Sequence, residues 1–221
     1  MRDARVSMIR SAFILWCALL STAHLQAETI HFDEATPGGF AGDWQATATG
    51  EGVALWSVVA DDTAPSKPKV LRQSGKATYP ICLKRNARLE DGFVEVKFKP
   101  VAGKEDQAGG VIWRAQDADN YYVCRANALE NNVVLYKTVA GKRKALDIVG
   151  RQGGYGVKAE VAAKQWHTLR VEFAGSRFKV FLNGKHLFDV EDGTFGAAGQ
   201  VGVWTKADSV TLFDDFAFGR N

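Results

Sequence analysis

The chain has 221 residues, of which 28 are basic and 25 are acidic, and its formal net charge at pH 7 is +3. Residues 1–27 hold three of the basic side chains and one of the acidic ones, so the rest of the chain carries about +1. A charge this small excludes the strongly basic surface that binds nucleic acid or anionic lipid, and the remaining length suits one domain, since single β-sandwiches often reach about 200 residues.

Residues 1–27 have the layout of a secretory signal. Arg2, Arg5 and Arg10 form a basic opening, and the apolar run SAFILWCALLSTA follows them. This run is shorter than the roughly 20 apolar residues that a membrane-spanning helix needs. We expect cleavage after Ala27 and a mature protein, residues 28–221, that is periplasmic or extracellular and not inserted in a membrane. An uncleaved membrane anchor is the alternative.

The rest of the chain is predicted to be almost wholly β, because short alternating segments recur between Gly, Asn and Asp. Weaker strands are expected at 53–61, 69–75 and 77–84. Clear strands are expected at 94–100, 109–115, 120–127, 133–139, 167–175, 177–184, 199–207 and 210–218. Asn183-Gly184 predicts a type I′ hairpin turn, and Ala140-Gly141 predicts a similar turn. About a dozen strands with turns between them indicate a sandwich or jelly roll.

The stretch RAQDADNYYVCRANALENN, residues 114–132, concentrates polar and aromatic side chains in a predicted hairpin. The expected register sets three pairs opposite each other: Gly110 with Arg125, Ile112 with Val123, and Arg114 with Tyr121. Because side chains alternate across a strand, one face then presents Arg114, Tyr121, Arg125 and Asn127. A shift by one residue would reverse every assignment.

Three longer stretches carry a resemblance to a known family: DQAGGVIWRAQDADNYYVCRANALENNVVLYKTVAGKR, WHTLRVEFAGSRFKVFLNGKHLF and GQVGVWTKADSVTLFDDF. Together they resemble the secreted bacterial 3-keto-disaccharide hydrolases, which belong to the concanavalin A-like lectin/glucanase superfamily of jelly rolls. The resemblance covers most of residues 28–221. It implies two antiparallel sheets and a carbohydrate groove on the concave sheet. It does not establish activity, because many relatives of this fold only bind.

The carboxylate motif of retaining β-glucanases, E-x-D-x-x-E, does not occur in the chain. Such enzymes need two carboxyl groups about 5 Å apart. In LEDGFVEVKF, Glu90, Asp91 and Glu95 have the wrong spacing for this role. Standard β-glucanase chemistry is therefore not expected.

The resemblance instead implies a 3-keto-glycoside as substrate. A base can remove the acidified C2 proton, the glycosidic group then leaves, and water adds afterwards, so that one base and a cation near the enolate suffice. We assign Arg125 and Arg114 to the oxyanion, and Glu130 or His167 to the base. For His167, packing beside Trp166 is the alternative.

Sugar binding needs aromatic faces that stack on pyranose rings and planar polar groups that meet neighbouring hydroxyls. Six side chains have the right types: Arg114, Tyr121, Asn127, Tyr136, Trp204 and Lys206. For Trp204, burial in the core is an equal alternative.

Two further features concern metal binding and thiols. Related jelly rolls place an aspartate of the last strand on calcium, which implies a structural calcium site with Asp215 and Asp33, although surface carboxylates are the alternative. The proposed chemistry requires no cofactor.

Cys82 and Cys124 can either pair or remain separate buried thiols.

Three functions stay open at this point. The first is hydrolysis of 3-keto-glycosides or 3-keto-disaccharides by a glycosidase-like enzyme. The second is a non-catalytic, lectin-like module that binds glycan, and the third is a protein interaction domain of laminin G type. We expect a monomer with carbohydrate as its partner.

Overall fold

The structure is a computed structural model that describes residues 27–40, 42–151 and 153–220. The predicted signal segment lies outside these residues, except for Ala27. Within the described ranges the chain forms sixteen strands and one short 3-10 helix, Phe32–Glu34. The strands are β1 (Glu28–Ile30), β2 (Trp44–Val53), β3 (Trp56–Ala60), β4 (Lys69–Gln73), β5 (Lys76–Leu89), β6 (Gly92–Ala102), β7 (Ala108–Ala115), β8 (Tyr121–Asn127), β9 (Asn132–Val139), β10 (Lys142–Ala145), β11 (Val157–Lys158), β12 (His167–Ala174), β13 (Arg177–Leu182), β14 (Lys185–Glu191), β15 (Gly199–Trp204) and β16 (Val210–Gly219).

The strands form two antiparallel sheets. Sheet A has the order β14-β13-β12-β6-β16-β4-β3, and β1 also pairs with β16. Sheet B has the order β10-β9-β8-β7-β15-β5-β2, and β11 also pairs with β9. Most neighbours in each sheet are not consecutive in the chain, as in jelly rolls. The predicted all-β jelly-roll sandwich is confirmed. No helix in the described part of the chain is long and apolar enough to cross a membrane.

The main core lies between the two sheets, where alternate residues of each strand face the opposite sheet. At its centre Trp113 of β7 stacks on Tyr122 of β8, with ring centroids 5.4 Å apart, and meets Phe178 of β13 edge-on at 5.3 Å. All three rings are fully buried. Burial of each large apolar side chain contributes roughly 1.5–3 kcal/mol to folding, so this cluster is a main source of stability.

The two predicted turns are confirmed. Asn183 and Gly184 connect β13 to β14 with φ angles of 51° and 76°, as a type I′ turn requires. Ala140 and Gly141 connect β9 to β10 with φ angles of 48° and 75°. Alanine disfavours a positive φ, so the second turn is held by tertiary contacts as well, including a hydrogen bond from the Ala140 amide to the Asn120 side chain.

The predicted strands are present within a few residues, with one exception. The segment predicted at 53–61 divides, because β2 ends at Val53 and β3 begins at Trp56. The very short strands β1 and β11 were not predicted. The ten-residue strand β2 and the short strand β10 were not predicted either. Both are edge strands, and β2 is rich in Ala, Thr and Gly, so neither carries a clear alternation of apolar side chains.

Cys82 and Cys124 are free, buried thiols. Across sheet B, Cys82 pairs with Val203, Val203 pairs with Val111, and Val111 pairs with Cys124. Three strand spacings separate the two thiols by roughly 14 Å. A disulfide needs Cα atoms less than about 7 Å apart, so the alternative of a disulfide is excluded.

Candidate functional site

The candidate site lies on the outer face of sheet B, which we define as the face turned away from sheet A. Residues that alternate with the core residues of β5, β7, β8, β9 and β15 form a second apolar and aromatic cluster there. The predicted pairs Gly110–Arg125 and Ile112–Val123 are confirmed. The outer face therefore carries Tyr121, Val123, Arg125 and Asn127 on β8, as the alternation predicted.

Arg125 is the centre of a polar cluster at one end of this face. Its guanidinium donates to Glu130 Oε2 at 2.9 Å, to the Tyr136 hydroxyl at 3.1 Å and to the Tyr155 hydroxyl at 3.1 Å. A further hydrogen bond joins it to the Asn132 side chain. Gly110 lies opposite on β7, where a Cβ atom would approach the Arg125 Cβ to 3.2 Å. The glycine therefore leaves room for the arginine stem.

Glu130 is held over the sheet by the turn between β8 and β9. The Asn127 side chain accepts a hydrogen bond from the Leu129 amide, and Asn131 adopts a positive φ of 47°. Asparagine tolerates both arrangements, which explains why this turn forms here. Glu130 Oε1 accepts from Asn127 at 3.2 Å, and Oε2 accepts from Asn132 at 2.9 Å.

A second tier of polar groups supports this cluster. The buried carboxylate of Asp106 accepts a hydrogen bond from Asn127 and forms an ion pair with Lys206. Asp106 is itself positioned by its amide, which donates to Asp208 Oδ1 at 3.1 Å. Arg125, Glu130, Asp106 and Lys206 thus form one network of alternating charge, joined through Asn127.

The electrostatics of this network keep Arg125 and Glu130 ionised. Burial acts to raise the pKa of Glu130, but the Asn132 hydrogen bond and the charge of Arg125 outweigh it, so the pKa lies below its usual value. Burial acts to lower the pKa of Arg125, but the neighbouring Tyr136 and Glu130 raise it above its usual value. Glu130 retains 37% of its side-chain exposure, so an anionic carboxylate faces solvent beside a buried cation.

A second part of the outer face, which shares Tyr136 with the Arg125 cluster, is aromatic. Tyr79 and Trp204 stack with ring centroids 5.4 Å apart, and the Arg143 guanidinium lies over the rings of Tyr79 at 4.7 Å and Tyr136 at 4.2 Å. Trp204 is fully buried beneath this arrangement, although it points away from the core between the sheets. Trp204 is therefore neither buried in the core between the sheets nor free to stack on a sugar. Its ring lies on the outer face but is covered there.

Tyr121 lies beside the aromatic part of the face, with Trp204 and Arg143 among its neighbours. It is fully buried, and its hydroxyl is 2.9 Å from the Thr49 hydroxyl. Burial raises the pKa of Tyr121, against the opposing effects of Thr138, Thr49, Trp204 and the charge of Arg143. Tyr121 is therefore a neutral phenol under the site rather than a wall of an open groove.

The expectation that Arg114 shares this face is wrong. Gln200 pairs with Ala115 but Gly202 pairs with Ile112, so Trp113 and Arg114 together oppose one residue of β15, a β-bulge. Arg114 adopts a positive φ of 49°, and its guanidinium lies 5.7 Å from the rings of Phe173 and Phe178. The bulge breaks the alternation and turns Arg114 into the end of the sandwich.

The guanidinium of Arg114 is occupied there by four hydrogen bonds. It donates to the carbonyl oxygens of Glu90 at 2.7 Å, Phe195 at 2.8 Å and Gly175 at 2.8 Å, and to Asp91 Oδ1 at 3.1 Å. The side chain is fully buried. These contacts use four of the five N–H donors of a buried guanidinium and give Arg114 a structural role.

His167 is also separated from the cluster. It begins β12 in sheet A, where its ring packs 5.6 Å from Phe98 of the core. Its Nε2 atom lies 2.9 Å from the Ala162 carbonyl oxygen, and its Nδ1 atom lies 3.2 Å from the Asn183 side chain. His167 therefore packs in the core, as the alternative interpretation held, and it does not lie beside Arg125.

The structure does not bring Asp33 and Asp215 together as a metal site. Among the described residues, the carboxylates and imidazole that converge are those of His31, Asp214 and Asp215. Asp215 Oδ2 accepts from the Lys97 ammonium at 2.6 Å, and Asp33 Oδ1 accepts from the Lys69 amide at 3.0 Å. An ammonium at this distance already neutralises Asp215, so these groups do not fit a calcium site, which requires six to eight free oxygens.

Several residues of the site were not predicted. Arg143 lies on β10, which was not predicted, and Tyr79 lies on a predicted strand whose two faces were not assigned. Tyr155 lies in the irregular segment between β10 and β11. Asn132 and Asp106 have no motif of their own. For Arg143 the sequence held an indirect indication of its place. It follows the Ala140-Gly141 turn by two residues, so a hairpin across that turn places it opposite Thr138.

Comparison with known proteins agrees with this fold. A carbohydrate binding module, CBM66, from Bacillus subtilis is 20% identical with a TM-score of 0.61, over 79% of this chain and 93% of that chain. A putative glycosyl hydrolase from Parabacteroides distasonis is 13% identical with a TM-score of 0.53, over 83% and 91% of the two chains. A protein of unknown function with a galectin-like fold, also from Bacillus subtilis, is 13% identical with a TM-score of 0.54, over 87% and 98%.

These identities are low, so the three structures establish the fold alone. Among curated proteins none matches this chain. A family model, described as the 3-keto-alpha-glucoside-1,2-lyase-like domain, matches residues 31–215. This match spans both sheets and every residue of the Arg125 cluster. The chain therefore belongs to the family of 3-keto-alpha-glucoside-1,2-lyase-like domains, which confirms the family resemblance of the sequence.

Proposed function

We propose that this protein cleaves 3-keto-glycosides by elimination at the Arg125 cluster on the outer face of sheet B. The observation that carries the proposal is the pairing of a partly exposed, anionic Glu130 with the buried Arg125 at 2.9 Å. The family match supports the substrate class, since the family is described by a lyase that acts on a 3-keto-α-glucoside. A location outside the cytoplasm is part of the proposal and rests on the signal predicted at residues 1–27.

In this proposal Glu130 is the base. The ketone at C3 acidifies the proton at C2, Glu130 removes that proton, and the electron pair forms an enolate. The buried Arg125 acts on the charge of this enolate through the exposed Tyr155 hydroxyl, to which it donates. The enolate then forms the C1–C2 double bond while the C1–O bond breaks, and the departing alcohol takes up a proton. Water can add to the resulting unsaturated ketone afterwards, which gives net hydrolysis.

The phenols of Tyr136 and Tyr155 complete the electrostatics of this step. Their hydroxyls hydrogen-bond to each other and to Arg125. Burial raises the pKa of Tyr136, so this phenol stays protonated and can donate. Tyr155 is half exposed and is the phenol that a substrate at the surface would meet first.

The test is turnover of a 3-keto-α-glucoside by the mature protein, measured as release of the alcohol. Glu130→Gln keeps the shape of the side chain but removes the base, and we expect the rate to fall by about a hundredfold or more. Glu172→Gln, which changes a glutamate on β12 of sheet A, is the matched control and should leave the rate unchanged. Equal turnover by the Glu130→Gln variant and the unmodified protein would refute the assignment.

A second candidate function is glycan binding without catalysis. The observation in its favour is that Glu130 already accepts three hydrogen bonds, from Arg125, Asn127 and Asn132. A carboxylate so well satisfied, with a lowered pKa, is a weak base. Saturable binding of a 3-keto-glycoside with no alcohol released would favour this candidate over the first.

A further inference from the structure

Arg143 is a cation without an anionic partner. Its guanidinium lies over three aromatic rings, those of Tyr136 at 4.2 Å, Tyr79 at 4.7 Å and Trp204 at 5.4 Å. Within the described ranges no carboxylate lies within ion-pair distance of it, and one of its terminal nitrogens is buried without a hydrogen bond. By contrast, Arg125 and Lys206 on the same face are paired with Glu130 and Asp106.

The geometry leaves the hydrogen-bond donors of Arg143 unused. A guanidinium that lies over ring faces is attracted through its own flat face, while its N–H groups point outward in the plane. Ring faces accept these N–H groups poorly, and an unpaired donor that is removed from water is costly. Arg143 and Tyr79 are both partly exposed. The buried nitrogen of Arg143 is Nη1, so a ligand at the surface can reach the guanidinium edge that carries Nε and Nη2.

The neighbouring groups are neutral. Trp204 Nε1 and Thr138 Oγ1 lie beside the Tyr121 hydroxyl, and both residues are fully buried on this face. The charge of Arg143 lowers the pKa of both Tyr121 and Tyr136, against the larger effect of burial, so its positive field extends across the face. Nothing among these groups supplies the negative charge that would balance Arg143.

We infer that the aromatic part of the outer face is a subsite for the carboxylate of an acidic saccharide, a uronic acid, with Nε and Nη2 of Arg143 as the bidentate donor. A carboxylate matches the two parallel N–H donors of a guanidinium, which a neutral hydroxyl does not. The Tyr79 ring beside it offers a face for the sugar ring. The choice of a saccharide rather than a peptide rests on the proposed function.

The test compares methyl glucuronide with methyl glucoside, which differ in the carboxylate alone, by calorimetric titration of the mature protein. We expect the glucuronide to bind at least about tenfold more tightly, because a charge-assisted pair adds one factor of ten or more. Arg143→Gln should remove this preference, so that the two glycosides bind with the same affinity. Raised salt should weaken the glucuronide alone.

Two matched variants separate charge from geometry. Lys142→Gln removes one positive charge from the neighbouring position of β10, which alternates to the opposite side, and should keep the preference. Arg143→Lys keeps the charge but loses the bidentate donor, and should keep only part of the preference. Thermal unfolding of each variant shows whether it is folded.

The outcomes distinguish this inference from the proposed function. Equal affinity for the two glycosides, or tighter binding of a peptide carboxylate than of the glucuronide, would overturn the acidic subsite. Glucuronide binding that depends on Arg143, without turnover of any 3-keto-glycoside, would support the subsite and refute the elimination. Turnover that depends on Glu130, together with a glucuronide affinity that does not change in Arg143→Gln, would support the elimination and refute the subsite.

Discussion

Three arginines of this chain occupy three different electrostatic settings. Arg114 is buried at the end of the sandwich and donates to three backbone carbonyl oxygens and to Asp91. Arg125 is buried on the outer face and is paired with Glu130. Arg143 is partly exposed there and lies over three aromatic rings. Residue type alone does not separate these roles, because the partners that define each role come from distant parts of the chain.

Replacement of Arg114 by methionine should destabilise the fold without affecting sugar binding. The change removes the four hydrogen bonds of a buried guanidinium. A hydrogen bond to a charged group contributes roughly 1.5–3 kcal/mol and these acceptors stay partly accessible to water, so we expect a loss of about 3 kcal/mol in the free energy of unfolding. Urea denaturation measures it. The control is Arg177→Met, which removes an exposed ion pair with Glu191 and should cost less than about 1 kcal/mol. A binding defect in a stable Arg114→Met protein would contradict the structural role.

The same arginine shows where prediction from the sequence fails. Alternation correctly predicted the faces of Tyr121, Arg125 and Asn127, because β8 is regular along its length. It failed for Arg114, because the β-bulge opposite β15 inserts one residue into the alternation. The positive φ of Arg114 has no marker in the sequence, since non-glycine residues rarely adopt it.

At the level of elements, Asp192 clamps the two sheets together at one edge. It follows β14 of sheet A, and its carboxylate accepts hydrogen bonds from Tyr122 of β8 at 2.6 Å and Lys137 of β9 at 2.7 Å. The Thr194 amide donates to the same carboxylate at 2.8 Å. Burial acts to raise the pKa of Asp192, but the Lys137 and Thr194 hydrogen bonds outweigh it and lower the pKa from 3.8 to about 2.

The clamp predicts a pH-dependent stability. The folded form binds the Asp192 proton less tightly than the unfolded form, so ionised Asp192 stabilises the fold above pH 3.8, and this contribution is lost as the pH falls through about 2. Because the group is partly exposed, we expect Asp192→Asn to cost about 1 kcal/mol at neutral pH. Urea unfolding from pH 7 to pH 2 should show that difference shrink below pH 4.

The control for the clamp is Asp62→Asn, which changes an exposed aspartate in the loop after β3. This variant should follow the unmodified protein at every pH. A difference between Asp192→Asn and the unmodified protein that stays constant down to pH 2 would show that the carboxylate charge contributes nothing, and that the loss arises from packing alone.

For the whole molecule, the fold was far more predictable than the site. Alternation along strands such as β12 and β13, together with the Asn183-Gly184 turn, is local and visible in the sequence. The site instead joins Arg125 of β8, Tyr155 of the loop after β10 and Lys206 beyond β15. The packing of non-consecutive strands creates that proximity, and no local pattern encodes it.

The two-sheet core also makes a prediction about the thiols. Cys82 and Cys124 are both fully buried between the sheets, and burial raises the pKa of both thiols. A thiol must be exposed and ionised to react, and here exposure requires the sheets to separate. The two residues lie on different strands of sheet B but in the same core, so one opening event should expose both.

We therefore expect the folded mature protein to react with a disulfide reagent at least about a thousandfold more slowly than the protein in urea, where both thiols should react together. The rate in water should follow the free energy of unfolding, so that Arg114→Met accelerates both thiols equally. The positive control is Lys142→Cys, whose exposed thiol should react at once. Rapid reaction of Cys82 or Cys124 alone in the folded protein would show that the sandwich opens locally, strand by strand, rather than as one cooperative unit.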